Sequence, residues 1–396
     1  MSEAIAGIRV LELGQVIAGP FCGQLLGDLG ADVVKIEPPG VGDVLRQWGH
    51  RTDDGDSLWW RVTGRNKRSV TIDLRTPAGQ DLVRRLAQQA DILVENFRPG
   101  TMERWGLGWD DLSAVNPRLI MVRISGFGQD GPYARRAGYA AIGEAMGGLR
   151  ALTGYPDRPP TRVGVSIGDS LTGMFGALGA LAALEARHRT GRGQVVDASI
   201  YESVLAVTEA LVIDWHAEGL SRERTGPTLP GIAPSNVYPT EDGHVLIAAN
   251  QDSVFARLVD VMGHPDLAAD SRFASHQARA SHVAEIDAIV SAWTLTHTCA
   301  QALELLHKAG VPAGLVYEPK DMVADPHFAA RESLVRVPDD RYGEIVMQAV
   351  FPKLSATPGQ VRHAGPALGA DTEAVLCELL KLEPVDIERL RRDGVI

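Results

Sequence analysis

The chain has 396 residues, a formal net charge of −11, 45% hydrophobic and 22% charged residues. That is the composition of a soluble globular protein, long enough for two or three domains, and the acidic balance argues against a nucleic-acid partner. Three distant cysteines (Cys22, Cys299, Cys377) without CxxC, and eleven histidines without ligand spacing, argue against a disulfide framework and against a metal site. With no signal-peptide pattern at the start, the expected location is the cytoplasm.

Residues 8–13 read as a first strand, followed by Gly14, a loop, and a helix from Pro20 to Leu29 that Gly30 stops. Asp32–Ile36 is a second strand with Glu37 at its end. This βαβ opening predicts an α/β fold with a parallel sheet. The dinucleotide fingerprint fails, because Val16 stands between Gly14 and Gly19 where a glycine must let the backbone meet a pyrophosphate.

Residues 41–60 lack periodicity. Arg61–Arg68 carries four basic residues in eight, read as either a phosphate-binding patch or a solvated loop. Ser69–Leu74 is expected as a strand, Thr76–Pro77 as the start of a helix to Gln89, and Asp91–Val94 and Arg118–Ser125 as further strands. Crevices form at the carboxyl ends of such strands, which directs attention to Glu95–Gly100 and Gly126–Pro132.

Asp169 then stands at the mouth of a long apolar helix. Taken alone it reads as an N-cap, the commonest job for Asp there. Leu171–Leu184 is too short for a bilayer, which needs roughly 20 apolar residues, and is expected as a buried core helix. Its glycines, Gly173, Gly176 and Gly179, call for a close backbone neighbour, with a subunit interface as one source. Gln194–Ser199 is a strand and Glu202–Glu218 a helix. Residues 219–235 form a linker, and 236–329 a smaller α+β domain that opens on a hairpin at Glu241–Gly243. Ile345–Val350 is expected to return to the first sheet, before helices at 371–381 and 384–392.

The order of Val10–Leu13, Ala18–Pro20, Leu29–Glu37, Asn66–Ser69, Val94–Phe97 with Pro99–Gly100, Gly168–Asp169, Thr190–Gln194 and Val311–Gly314 resembles the class III CoA-transferases, the formyl-CoA transferase or CaiB/BaiF family. The resemblance spans nearly the whole chain. It implies a Rossmann-like large domain from 1–218 and 330–396, the smaller α+β domain, and an interlocked, ring-shaped homodimer. It also implies no tightly bound cofactor, with a coenzyme A thioester and carboxylic acids as substrates and no membrane partner. Asp169 matches the family nucleophile, which passes through a mixed anhydride and an aspartyl-CoA thioester. For CoA contacts the resemblance carries over Val16, Ala18, Ile72, Arg75, Asn96, Phe97, Arg104 and Tyr139.

Two departures narrow the substrate. Ile17 replaces the glutamine of formyl-CoA transferases, and the small domain lacks their glycine-run loop. The pattern Arg136–Tyr139 is closer to the branch that handles dicarboxylic or hydroxy acids, with succinyl-CoA as expected donor and Arg46 as a candidate partner for a distal carboxylate. The alternative is an α-methylacyl-CoA racemase of the same superfamily. It needs acid/base groups on both faces of the α-carbon, and Tyr139, with an ordinary pKa of roughly 10, is a poor base. A CoA-binding module without turnover is the remaining reading.

Overall fold

Six short strands form the central sheet: β1 (Arg9–Glu12), β2 (Asp32–Glu37), β3 (Lys67–Thr71), β4 (Ile92–Glu95), β5 (Ile120–Ser125) and β6 (Val195–Ser199). Their order is β3-β2-β1-β4-β5-β6, and every neighbouring pair is parallel. The computed structural model describes residues 3–51, 55 and 57–396. Leu11, Val34, Val70 and Leu93 point to one face, against Leu82, Leu86 and Leu376. Val10, Val33, Ile92 and Val122 point to the other, against Ala18, Cys22, Leu26 and Ala180. Burial on both faces is why the central strands β4 and β5 are nearly continuous apolar runs.

The chain divides into two compact units. One comprises the residues up to Arg150, Val163–Leu220 and Ala329–Ile396; the other comprises Ala151–Arg162 and Ser221–Phe328. The second unit has a three-stranded antiparallel sheet, β7 (Ser235–Pro239), β8 (His244–Ala248) and β9 (Ala313–Leu315). Helices Asp252–Val261, Val283–Thr294 and Cys299–Lys308 bury Phe255, Ile286 and Leu306 with Tyr238 and Val245 of that sheet.

Several expectations need correction. Residues 345–350 do not rejoin the first sheet. They pair antiparallel as β11 (Gly343–Gln348) with β10 (Leu334–Asp339) in a separate two-stranded sheet. The helix expected over 202–218 is two, Ile200–Leu205 and Leu211–Glu218, with Glu209 between them in the left-handed region at φ +55°. The apolar stretch 171–184 lies inside a longer helix, Ile167–Thr190, which starts just before Asp169. By length and composition alone it is long enough to cross a membrane, yet one face packs on the sheet. Gly173 lies against Ala18 O and Phe21, Gly176 against Val122, and Gly179 against Val196. The close neighbour that the glycines required is therefore supplied within the same subunit. Met174 and Leu178, on another side of this helix, are exposed, so it is only partly a core helix.

The basic stretch at 61–68 is neither a phosphate patch nor a solvated loop. Arg65 is buried and pairs with Asp28 at 2.6 Å; Lys67 is buried and pairs with Glu12 at 2.8 Å. Arg68 pairs with Asp32 at 2.7 Å, and Arg61 with Asp339 at 3.4 Å. The charges serve internal ion pairs because the stretch runs directly into β3, next to β2.

Candidate active site

In an open parallel sheet the crevice lies where the strand order reverses, outside the carboxyl ends of the strands. Here that point falls between β1 and β4. The loop after β1 enters it. Gly14 and Gly19 face each other so closely that a Cβ on Gly14 would stand 3.0 Å from the Gly19 Cα. Asn96, just beyond β4, holds the loop between them. Its Nδ2 donates to Gln15 O and its Oδ1 accepts from Gln15 N–H, both at 2.7 Å. The Asn96 amide is thus engaged in shaping the loop.

Val16 has φ +68°. A β-branched residue in the left-handed region is a genuine outlier, at a cost of about 1–3 kcal/mol. The surroundings enforce it: Val16 N–H donates to Asp43 Oδ1 at 2.9 Å. The Val16 that breaks the dinucleotide fingerprint adopts the conformation a glycine would have provided.

Ala18 is buried at the first turn of the Ala18–Asp28 helix. Gly173 packs on its carbonyl, which brings the first turns of two helices together. Asp169, one turn before Gly173, is half-buried in the first turn of Ile167–Thr190. It is not the N-cap. Ser166 holds that position, and Asp169 is the third helical residue, within reach of the helix's positive end. Gly168 is buried against Glu144, Ile200 and the Ala140 carbonyl; a Cβ there would meet Glu144 Cγ at 3.1 Å. Tyr139 immediately precedes Ala140 as N-cap of Ala140–Met146, with its side chain 70% exposed. Val16, Ala18, Asn96, Tyr139 and Asp169 are therefore linked through direct packing of the segments that carry them.

The other predicted residues lie farther along the same edge of the sheet. Phe97 is half-buried, edge-on to Trp105 with centroids 5.1 Å apart, and also packs on the core. Ile72 is a core residue, 1% exposed, so its side chain is spent on packing. Arg75 is exposed and grips Asp73 through two nitrogens at 2.9 and 2.8 Å. Arg104 is exposed and donates to Thr101 Oγ1 at 2.9 Å. Arg46 is committed elsewhere. Its guanidinium holds Glu37 through two 2.7 Å bonds and lies 3.8 Å over the Trp60 ring, which removes it from the role of distal-carboxylate partner.

Glu95, at the end of β4, accepts from Phe97 N–H and from Arg123 Nε, each at 2.8 Å. Burial pushes its carboxyl up to about 7, against the pull of Arg123 and the Phe97 amide. The folded chain therefore keeps a proton that the unfolded chain releases near 4.5. Stability should fall as pH rises between those two values, since the folded state binds more protons there. Glu95→Gln is expected to flatten that slope in urea-unfolding midpoints. An unchanged slope would assign the pH dependence to other groups.

A buried charge network lies under the Val16 loop, and sequence reasoning missed it. Lys35 Nζ sits 3.1 Å from Glu12 Oε1 and 2.8 Å from Asp43 Oδ2, and also donates to Gly14 O. Lys67 Nζ sits 2.8 Å from Glu12 Oε2 and donates to Pro20 O. Burial opposes the Lys35 charge, but Asp43, Glu12 and Glu37 outweigh it and hold its pKa above the ordinary lysine value. Burial pushes the Glu37 carboxyl up, but Arg46 and Lys35 outweigh it and hold it below the ordinary value. The available signal was a lysine or glutamate inside an apolar strand, as in Asp32–Glu37 and Arg9–Glu12.

Residues 5–372 match the model of CoA-transferase family III. The chain is 57% identical over 390 residues to a succinyl-CoA–D-citramalate CoA-transferase of Chloroflexus aurantiacus, covering 98% of this chain and 97% of that protein. It is 38% identical to a succinate–glutarate CoA-transferase of Agrobacterium fabrum, covering 96% of each. The crystal structure of a CaiB/BaiF family protein from Brucella suis superposes with a TM-score of 0.86 at 36% identity, covering 96% of this chain and all of that one. The chain belongs to CoA-transferase family III, and it is an enzyme of that class.

Proposed function

We propose that this transferase moves CoA from succinyl-CoA to a small dicarboxylic or hydroxy acid, with D-citramalate the first acceptor to test. The single observation that carries the chemistry is the setting of Asp169. A half-buried carboxylate stands in the first turn of a helix, beside two glycine contacts that bring Ala140 and Ala18 close. A carboxylate is already ionised at neutral pH and needs no base to act as nucleophile. Asp169 attacks the donor thioester carbonyl, the C–S bond breaks, and CoA leaves as thiolate from a mixed anhydride. The thiolate attacks the aspartyl carbonyl and frees succinate, leaving an aspartyl-CoA thioester. The acceptor carboxylate then runs the two steps in reverse. The positive end of the helix dipole favours the carboxylate and the later oxyanions. Val16 and Ala18 line the pantetheine path of the CoA thioester, Asn96 and Phe97 the pocket just beyond β4 and Tyr139 the active site, while Arg75 and Arg104 serve the nucleotide end.

The working unit in this reading is a homodimer. Ile142, Met146, Met174, Leu178, Val212, Ile213 and Trp215 are exposed apolar side chains on three helices of the first unit, more than scattered surface residues would supply.

The test is an exchange panel: succinyl-CoA or acetyl-CoA against dicarboxylic and hydroxy acids, followed by mass spectrometry. New thioesters from succinyl-CoA support the reading and name the acceptor. No exchange with any pair, together with deuterium wash-in at the α-carbon of a 2-methylacyl-CoA, would replace it with the racemase.

A further inference from the structure

We propose that Asp43 is a positioning residue for the transfer reaction. It locks the Val16 peptide in the left-handed conformation that shapes the thioester end of the site. The inference rests on the reading above that Val16 lines the path of the CoA thioester.

The geometry is specific. Asp43 is fully buried, and both carboxylate oxygens are committed. Oδ1 accepts from Val16 N–H and from Leu45 N–H, each at 2.9 Å. Oδ2 accepts from Lys35 Nζ at 2.8 Å. The same ammonium donates to Gly14 O, so one charge fixes both the carboxylate and the far end of the loop it holds. Asp43 is itself anchored: its N–H donates to Glu37 Oε2 at 2.9 Å, and Glu37 is gripped by Arg46 and by Ser69 Oγ at 2.7 Å. From the opposite side Asn96 holds Gln15 by both backbone groups. Gln15 and Val16 are thus clamped from two different elements. Valine resists this conformation, so the clamp must supply what the side chain opposes. With Asp43 gone, Val16 is free to return to negative φ and turn the peptide that leads into the Ala18–Asp28 helix. Positioning a reactive thioester tolerates displacements well under 1 Å, which makes such a loop change costly for the reaction.

A lysine partner in the core would also make Asp43 important for stability alone, so the test separates the two roles. Four proteins are compared: wild type, Asp43→Ala, Val16→Gly, and the two combined. Free CoA is the binding probe, measured by calorimetry, and KM and kcat are measured for succinyl-CoA. Glycine adopts φ near +68° without strain. Asp43→Ala is therefore expected to weaken CoA binding and raise KM about tenfold in the Val16 background, but less than about threefold in the Val16→Gly background. An equal loss in both backgrounds would overturn the clamp and leave Asp43 a partner of Lys35 only. Should Asp43→Ala fail to fold, the pair Asp43→Asn with Lys35→Met removes both charges and retains an acceptor for Val16 N–H. It is expected to bind CoA more tightly than Lys35→Met with Asp43→Leu, which retains none; equal affinity of the two pairs would refute the clamp. Val16→Trp provides the control for the underlying reading. If it leaves CoA affinity unchanged, Val16 does not line the path, whatever Asp43 does.

Discussion

Replacing Asp169 with alanine is expected to lower kcat for CoA exchange about a thousandfold or more, some 4 kcal/mol of barrier, while the protein stays folded. In the proposed mechanism the reaction has no route around the residue. Without a nucleophile the two acids must exchange CoA directly, and a free carboxylate attacks a thioester poorly. The stability cost is small by comparison. Asp169 is half-buried and is not the cap of its helix, so the favourable charge–dipole contribution it gives up is about 0.3–1 kcal/mol. Asp169→Glu keeps the charge but carries the carboxylate one methylene farther. The expected loss is about a hundredfold, because the attack distance is set by a rigid helix start wedged at Gly168 and Gly173. Steady-state rates, with a mass-spectrometric search for a CoA adduct on the Asp169 peptide, check both variants. An Asp169→Ala protein that keeps a tenth of the activity would remove Asp169 from the chemistry.

The parallel sheet was legible because its inner strands hold short apolar runs separated by helix starts with recognisable chemistry. Thr76 caps its helix as expected, its hydroxyl accepting from Gly79 N–H at 3.0 Å. Asp169 was legible as a helix-mouth carboxylate, and its assignment as nucleophile came from motif order, since cap and nucleophile look alike in sequence. What the pattern hid was long-range pairing. The basic run at 61–68 looks solvent-facing in one dimension, and only the partners Asp28, Glu12, Asp32 and Asp339 make it internal. Arg46 looks available for a substrate until Glu37 and Trp60 are found on it. Asp43 lies in an aperiodic stretch, where neither helical nor strand spacing marks a residue as buried. The strain at Val16 has no signature in its own side chain, because valine is the residue least suited to that backbone. The strand expected at 345–350 was assigned to the wrong sheet because alternation marks a strand without naming its partner.

The largest effect on stability is expected away from Asp169, at Glu12. Three cations (Lys35, Lys67, Arg46) and three carboxylates (Glu12, Asp43, Glu37) form one chain of contacts under the Val16 loop, and their formal charges sum to zero. The four side chains of Glu12, Lys35, Lys67 and Asp43 are completely buried. Glu12 bridges two ammonium groups, one on each oxygen, at 3.1 and 2.8 Å. Glu12→Gln leaves Lys35 with Asp43 but strands Lys67, whose charge burial already disfavours. Removing one member of a buried ion pair costs about 3–5 kcal/mol, because the remaining charge must stay uncompensated or give up its proton. Glu12→Gln should therefore lower the unfolding free energy by that amount, read as a fall in the urea midpoint at unchanged slope. Lys67→Met alone should cost less, since Glu12 retains Lys35 at 3.1 Å. The pair Glu12→Gln with Lys67→Met should recover most of the loss, since replacing both charges together avoids the uncompensated state. Urea unfolding of the four proteins gives the coupling directly. If the two single losses simply add in the double variant, Glu12 and Lys67 are not acting as a pair, and the network stabilises the loop through packing instead of charge.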